Sequence, residues 1–78
     1  MAAQNYIFTQ YANDKFELLN QFRVFITKEQ VIEAINLPET VAKKGKYLIY
    51  KKDRVAVIIK KEGGINKIIT FYPTVSNN

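Results

Sequence analysis

With no histidine and no cysteine among 78 residues, the chain lacks the commonest general base working near neutral pH. Any proton transfer falls to Lys, Arg, Tyr or Asp/Glu. The same absence removes the usual ligands of zinc, copper, haem and iron-sulfur clusters, and it leaves no disulfide. No metal site and no cofactor is expected, because a metal would have to rest on scattered carboxylates. The acidic pairs make no stronger case, since Glu29 and Glu33 stand one helical turn apart on a face read as solvated. Gly63-Gly64 lies between two predicted strands with no helix after it, so it reads as a hairpin turn rather than a phosphate loop.

The cations carry more information. Residues 1–42 hold Lys15, Arg23 and Lys28 against Asp14, Glu17, Glu29, Glu33 and Glu39, a balance of −2. Residues 43–78 hold Lys43, Lys44, Lys46, Lys51, Lys52, Arg54, Lys60, Lys61 and Lys67 against Asp53 and Glu62, a balance of +7. Such asymmetry is the footprint of a surface that meets phosphate, an acidic protein or another anionic partner. Tyr47, Tyr50, Phe71 and Tyr72 lie among these lysines. Bases stack on aromatic rings while lysines hold phosphates, the logic of single-stranded nucleic-acid surfaces. Lys43, Lys44, Lys46, Lys51, Lys52, Lys60 and Lys61 are the candidate RNA contacts. Tyr47 and Tyr50 differ by an odd number of positions, as do Phe71 and Tyr72, so one of each pair should face the core. The competing reading is that the lysines keep a small sheet soluble and guard its edges.

These side chains need elements to position them. Tyr6-Ile7-Phe8-Thr9 is β-prone within an N-terminal arm (1–8). A helical half (9–37) follows, with Thr9 as N-cap of a first helix whose stripe is Ala12, Phe16 and Leu19. Thr27-Lys28-Glu29-Gln30 fits a capping box, with Ile26 and Val31 at the hydrophobic-staple positions of a second helix. That helix buries Val31, Ala34 and Ile35 and should stop near Asn36, because Pro38 pushes Leu37 out of the α region. A basic sheet half (39–73) comes next. A short strand at Thr40-Val41-Ala42 and a turn at Lys43-Lys44-Gly45-Lys46 lead into Tyr47-Leu48-Ile49-Tyr50. Val55-Ala56-Val57-Ile58-Ile59 is apolar on both faces and reads as a central strand. The last strand runs from Ile65 to Tyr72 and ends at Pro73. The tail (74–78) is polar and expected to fray. The expected fold is α+β: one domain, with two N-terminal helices on one face of a three- to four-stranded antiparallel β-meander.

An apolar fraction of 47% and a charged fraction of 24% suit a soluble globular domain. No apolar run approaches a membrane span and no signal-peptide pattern is evident, so the expected compartment is the cytoplasm, with no membrane partner.

Ile26-Thr27-Lys28-Glu29-Gln30-Val31, Leu37-Pro38-Glu39 and Thr70-Phe71-Tyr72-Pro73 carry a resemblance. The chain resembles a small prokaryotic domain-of-unknown-function family that reads His-Ala-x-x-Arg on its first helix, then Ile-Thr-x-x-x-Val, Asn-Pro-Glu and a meander ending Thr-x-Tyr-Pro. The resemblance runs roughly from Phe8 to Pro73. That family is similar in fold to the RelE-type toxins and other small metal-independent ribonucleases. The first-helix motif falls on Tyr11-Ala12-Asn13-Asp14-Lys15, with Tyr11 in the histidine's place and Lys15 in the arginine's. RelE-like enzymes as a class replace histidine with Lys, Arg and Tyr. The resemblance therefore implies a catalytic set of Tyr11, Lys15, Arg54, Thr70 and Tyr72. The 2′-hydroxyl of RNA would attack the adjacent phosphate, with Arg54 and Lys15 stabilising the phosphorane. Tyr11 or Tyr72 would transfer the proton, a role that requires neighbouring cations because a phenol ordinarily titrates near pH 10.

Two function classes follow from this reading. One is a toxin-like metal-independent endoribonuclease acting on RNA or at the ribosome. The other is a non-catalytic module of the same fold that holds RNA or an acidic antitoxin-like protein. A third possibility is an accessory protein that dimerises through a sheet edge.

Overall fold

Two threonines set where the helices begin. In the computed structural model, which describes residues 6–74, Thr9 caps α1 (Gln10–Gln21) and Thr27 caps α2 (Lys28–Asn36). The Thr9 hydroxyl accepts from the Ala12 N–H at 3.2 Å and lies 2.9 Å from the Ile68 carbonyl, so one side chain both starts the helix and pins it to the sheet. The capping box at α2 is complete. The Gln30 N–H donates to Thr27 Oγ1 at 3.1 Å, and the Thr27 N–H donates to Gln30 Oε1 at 2.8 Å.

The end of α1 carries a signal that composition hid. Arg23 takes a left-handed conformation, with φ of 61°. Its N–H donates to the Asn20 carbonyl and that of Val24 donates to the Leu19 carbonyl, both at 2.9 Å. This is a Schellman closure with arginine where glycine is usual. At the other helix, Leu37 stands outside the α region just before Pro38, the expected stop.

Five strands form one sheet: β1 (Tyr6–Phe8), β2 (Thr40–Lys44), β3 (Tyr47–Lys52), β4 (Val55–Glu62) and β5 (Ile65–Pro73), in the order β1-β5-β4-β3-β2. Strands β2 to β5 make an antiparallel meander, and β4 is central as its apolar run predicts. The expectation of three to four purely antiparallel strands needs correction. Residues Tyr6 to Phe8, assigned to an arm, add a fifth strand that pairs parallel with Asn66 to Ile68 of β5. A pairing 60 positions away along the chain leaves no local trace. Of the tail, Thr74 donates its N–H to the Arg54 carbonyl at 2.7 Å; the expected fraying of Val75 to Asn78 lies outside the described residues.

Both helices cover the same face. Helix α1 packs on β5, and α2 packs across β4 and β3. Ala12, Val31, Ala34, Ile35, Val57, Ile59, Ile68 and Phe71 form the buried core between the layers. Phe16 links β1 to β5, with its ring centroid 5.7 Å from Phe8 and 4.4 Å from Phe71. Such aromatic contacts add to the area they bury.

A bulge interrupts β5. Ile58 pairs with Thr70 and Ile59 with Ile68, so Ile69 has no residue opposite it. Simple alternation would set Lys67 and Thr70 on opposite faces, whereas the extra residue brings them to the same one. With Ile59 and Phe71 in the core, alternation turns Lys67, Thr70 and Tyr72 to the face that the helices leave open.

Candidate nucleic-acid interface

Strand pairing arranges that open face as three rows running across β2, β3, β4 and β5. One end row is Lys44, Tyr47, Lys60, Lys67; the middle row is Ala42, Ile49, Ile58, Thr70; the other end row is Thr40, Lys51, Ala56, Tyr72. Ile49 and Ile58 are half-buried, and Ala56 is fully buried between Lys51 and Tyr72. The surface has an apolar floor with an aromatic ring and at least one lysine at each end. Two strand spacings and four residues of rise separate Tyr47 from Tyr72, about 16 Å.

The tyrosine assignments follow from alternation. Tyr50 packs against the core, while Tyr47, on the open face, is 41% exposed. Phe71 is fully buried, and its neighbour Tyr72 lies half-buried on the open side.

Helix α1 contributes one more cation. Lys15 Nζ donates to Thr70 Oγ1 at 2.9 Å and sits 6.0 Å from the ring centres of both Phe71 and Tyr72. That distance is at the outer edge of a cation–π contact. Burial against these groups pushes the Lys15 pKa below its usual value, since desolvation disfavours the charged amine. Tyr11 lies one turn earlier and is 67% exposed, lining a shallow hollow with Asp14, Lys15 and Leu18.

Of the five residues that the family resemblance implies, Lys15, Thr70 and Tyr72 lie together, and Tyr11 adjoins Lys15 alone in the hollow on α1. Arg54 is placed differently. It sits in the β3–β4 turn and lines a hollow of about 400 Å³ with Val24, Phe25, Ile26, Pro73 and Thr74. The register sets it opposite Thr74, two pairs beyond Ala56 and Tyr72 on the same strands.

The lysines divide by face. Lys44, Lys51 and Lys60 belong to the open face. Lys52 points to the helix side, where its Nζ is 3.2 Å from Glu33 Oε2. Lys43 pairs with Leu48, which packs on the core, and Lys61 lies two residues after the core residue Ile59, so both face the helix side too, although both are exposed. Lys46 lies in the β2–β3 turn, beside a second hollow of about 400 Å³ that it shares with Lys43, Tyr47, Lys60 and Lys61. Lys67, left out of the RNA-contact set, stands opposite Lys60 on the open face. Its place was concealed by the bulge. Glu62 joins them, with Oε2 2.9 Å from Lys60 Nζ and Oε1 2.6 Å from Lys67 Nζ.

Hydrogen bonds from Lys67 and then Lys60 hold the Glu62 carboxyl down at about 2, and the Glu62 bond in turn raises the Lys60 pKa. Away from this face, burial followed by proximity to Tyr50 raises the Tyr6 pKa, and the Tyr6 hydroxyl donates to Asn36 Oδ1 at 2.6 Å.

Compared with known proteins, the chain matches no family model, no curated protein and no solved structure. Among the described residues, no group of three or more acidic side chains is arranged to hold a metal ion. No helix among them is long and apolar enough to cross a membrane.

Proposed function

We propose that the open face of the sheet is a non-catalytic platform for single-stranded RNA. The observation that carries this reading is the pairing grid itself. Tyr47 and Tyr72 stand at opposite ends of an apolar floor formed by Ile49 and Ile58, with Lys15, Lys44, Lys51, Lys60 and Lys67 around it. Glu62 is the one acidic residue among the strand positions of this face. Bases stack on the rings and floor while the lysines meet phosphates, an arrangement that tolerates many sequences because every base has a π-face. Duplex RNA suits it less well, since paired bases have no free faces to offer.

The test is fluorescence anisotropy with a labelled ten-nucleotide oligouridylate in low salt. Tyr47→Ala and Tyr72→Ala should each weaken binding by about 5- to 100-fold, the range of one lost base stack. Binding unaffected by either substitution would contradict the proposal.

A metal-independent endoribonuclease is the second reading, favoured by the convergence of Lys15, Thr70 and Tyr72. Lys15 is a cation whose pKa is lowered by burial, and two hydroxyls lie close by. Arg54, the second phosphorane-stabilising cation in that scheme, lines a different hollow. For this reason binding ranks above cleavage. Incubating the purified protein with total RNA in chelator separates the two: cleavage abolished by Lys15→Ala establishes the nuclease, and intact RNA that remains bound establishes the platform.

A further inference from the structure

Lys60 and Lys67 stand directly opposite each other on neighbouring strands and on the same face. Like charges in that relation oppose sheet formation. Glu62 offsets the repulsion by offering one carboxylate oxygen to each ammonium, at 2.9 and 2.6 Å. The geometry is a two-oxygen anion held between two amines, and a phosphodiester presents the same pair of non-bridging oxygens. All three side chains are substantially exposed, between 30% and 43%. Exposed ion pairs are weak, so a phosphate presented at high local concentration is able to replace the carboxylate. Tyr47 lies opposite Lys60 on the next strand, so a phosphate at this point would leave its base within reach of a stacking ring.

We propose that Lys60 and Lys67 form a phosphate site which the Glu62 carboxylate fills in the free protein and vacates when a nucleic-acid strand binds. This rests on the RNA-binding reading of the open face and adds a site and a competitor to it. Glu62 then acts as a threshold. Weak or isolated anions do not displace it, whereas a strand already held by Tyr72 and Lys51 brings a phosphate to the site at high local concentration.

A purely structural role for Glu62 makes a different forecast. If the carboxylate only relieves the repulsion between the lysines, its removal lowers stability and changes affinity only by the general gain of one positive charge, so that Lys67→Gln costs the same in either background. If it occupies a phosphate site, its removal lowers stability in the free protein and tightens binding.

The experiment measures anisotropy of the labelled ten-nucleotide oligouridylate at low salt with wild type, Glu62→Gln and Glu62→Thr, the last a β-favouring replacement that guards against a local folding defect. Far-ultraviolet circular dichroism checks the fold of each. Both variants should bind about fivefold tighter, the scale of one exposed ion pair removed from competition. Lys67→Gln should cost more affinity in the Glu62→Gln background than in wild type, because only there is the ammonium unengaged before binding. Wild-type binding with no gain in either variant would overturn this inference while leaving the RNA platform standing. No binding by wild type or either variant would overturn both.

Discussion

Lys15 and Glu62 are charges held in opposite circumstances, and each gives stability its own dependence on pH. Burial lowers the Lys15 pKa in the folded chain, so between that value and the ordinary 10.5 the unfolded chain binds more protons. Stability contributed through Lys15 therefore rises with pH across that alkaline window. Lys15→Met should abolish this rise, visible as a wild-type minus variant difference in Tm that grows toward pH 10.5; a difference flat with pH would contradict the desolvated amine. Glu62 has the reverse sign. Its carboxyl is held at about 2 against an ordinary 4.5, so its contribution is present above about 4.5 and is lost as pH falls toward about 2. The Tm gap between wild type and Glu62→Gln should narrow over that interval. It should also shrink in added salt, because the group is exposed and screened. Neither side chain's partners were legible in the sequence. Lys15 meets Thr70 across 55 positions, and Glu62 meets Lys67 because the register of the β4–β5 hairpin sets Lys67 opposite Lys60.

Local elements were the most legible part of the molecule. Thr27 and Gln30 announce α2 because a capping box is written in four consecutive residues, and Thr27→Ala should cost about 1 kcal/mol of stability, read by urea denaturation. The β4 run from Val55 to Ile59 announces a central strand because both of its faces are apolar. Alternation separates Tyr47 from Tyr50 and Phe71 from Tyr72 by a rule that needs only the strand direction. Other features lie outside such rules. The closure of α1 uses Arg23 at positive φ, a position that glycine normally marks. The αL conformation costs a side-chain residue about 1–2 kcal/mol, and glycine would return about 0.4–1 kcal/mol through the unfolded chain. Arg23→Gly should therefore stabilise the protein by roughly 0.5–1 kcal/mol; a loss of stability would mean that the arginine side chain contributes contacts of its own. Ile69 is a similar case, since nothing in Ile-Ile-Thr marks a bulge. Its presence moves Lys67 onto the same face as Thr70 and completes the basic end row.

At the scale of the whole chain, the net charge of +5 is less informative than the division of lysines by face. The sequence located the excess in the sheet half, yet both faces of a sheet share one stretch of sequence. Only strand order and register assign Lys52 to Glu33 on the helix side and leave Lys44, Lys51, Lys60 and Lys67 on the open side. Parallel addition of β1 beside β5 was equally hidden, because its partners enter the sequence two helices and three strands later. If three to five of the lysines on this face meet phosphates, the logarithm of affinity should fall against the logarithm of salt with a slope of about −2 to −3.5. A slope near zero would show that charge takes no part in binding.

The most direct test of the open-face platform is a nuclear magnetic resonance titration of the labelled protein with a ten-nucleotide oligouridylate in low salt. Shifts concentrated at Tyr47, Ile49, Lys51, Ile58, Lys60, Lys67 and Tyr72, with the α2 residues Lys28 to Asn36 undisturbed, are the predicted result. Shifts confined to the helices, or an unchanged spectrum at saturating RNA, would contradict it.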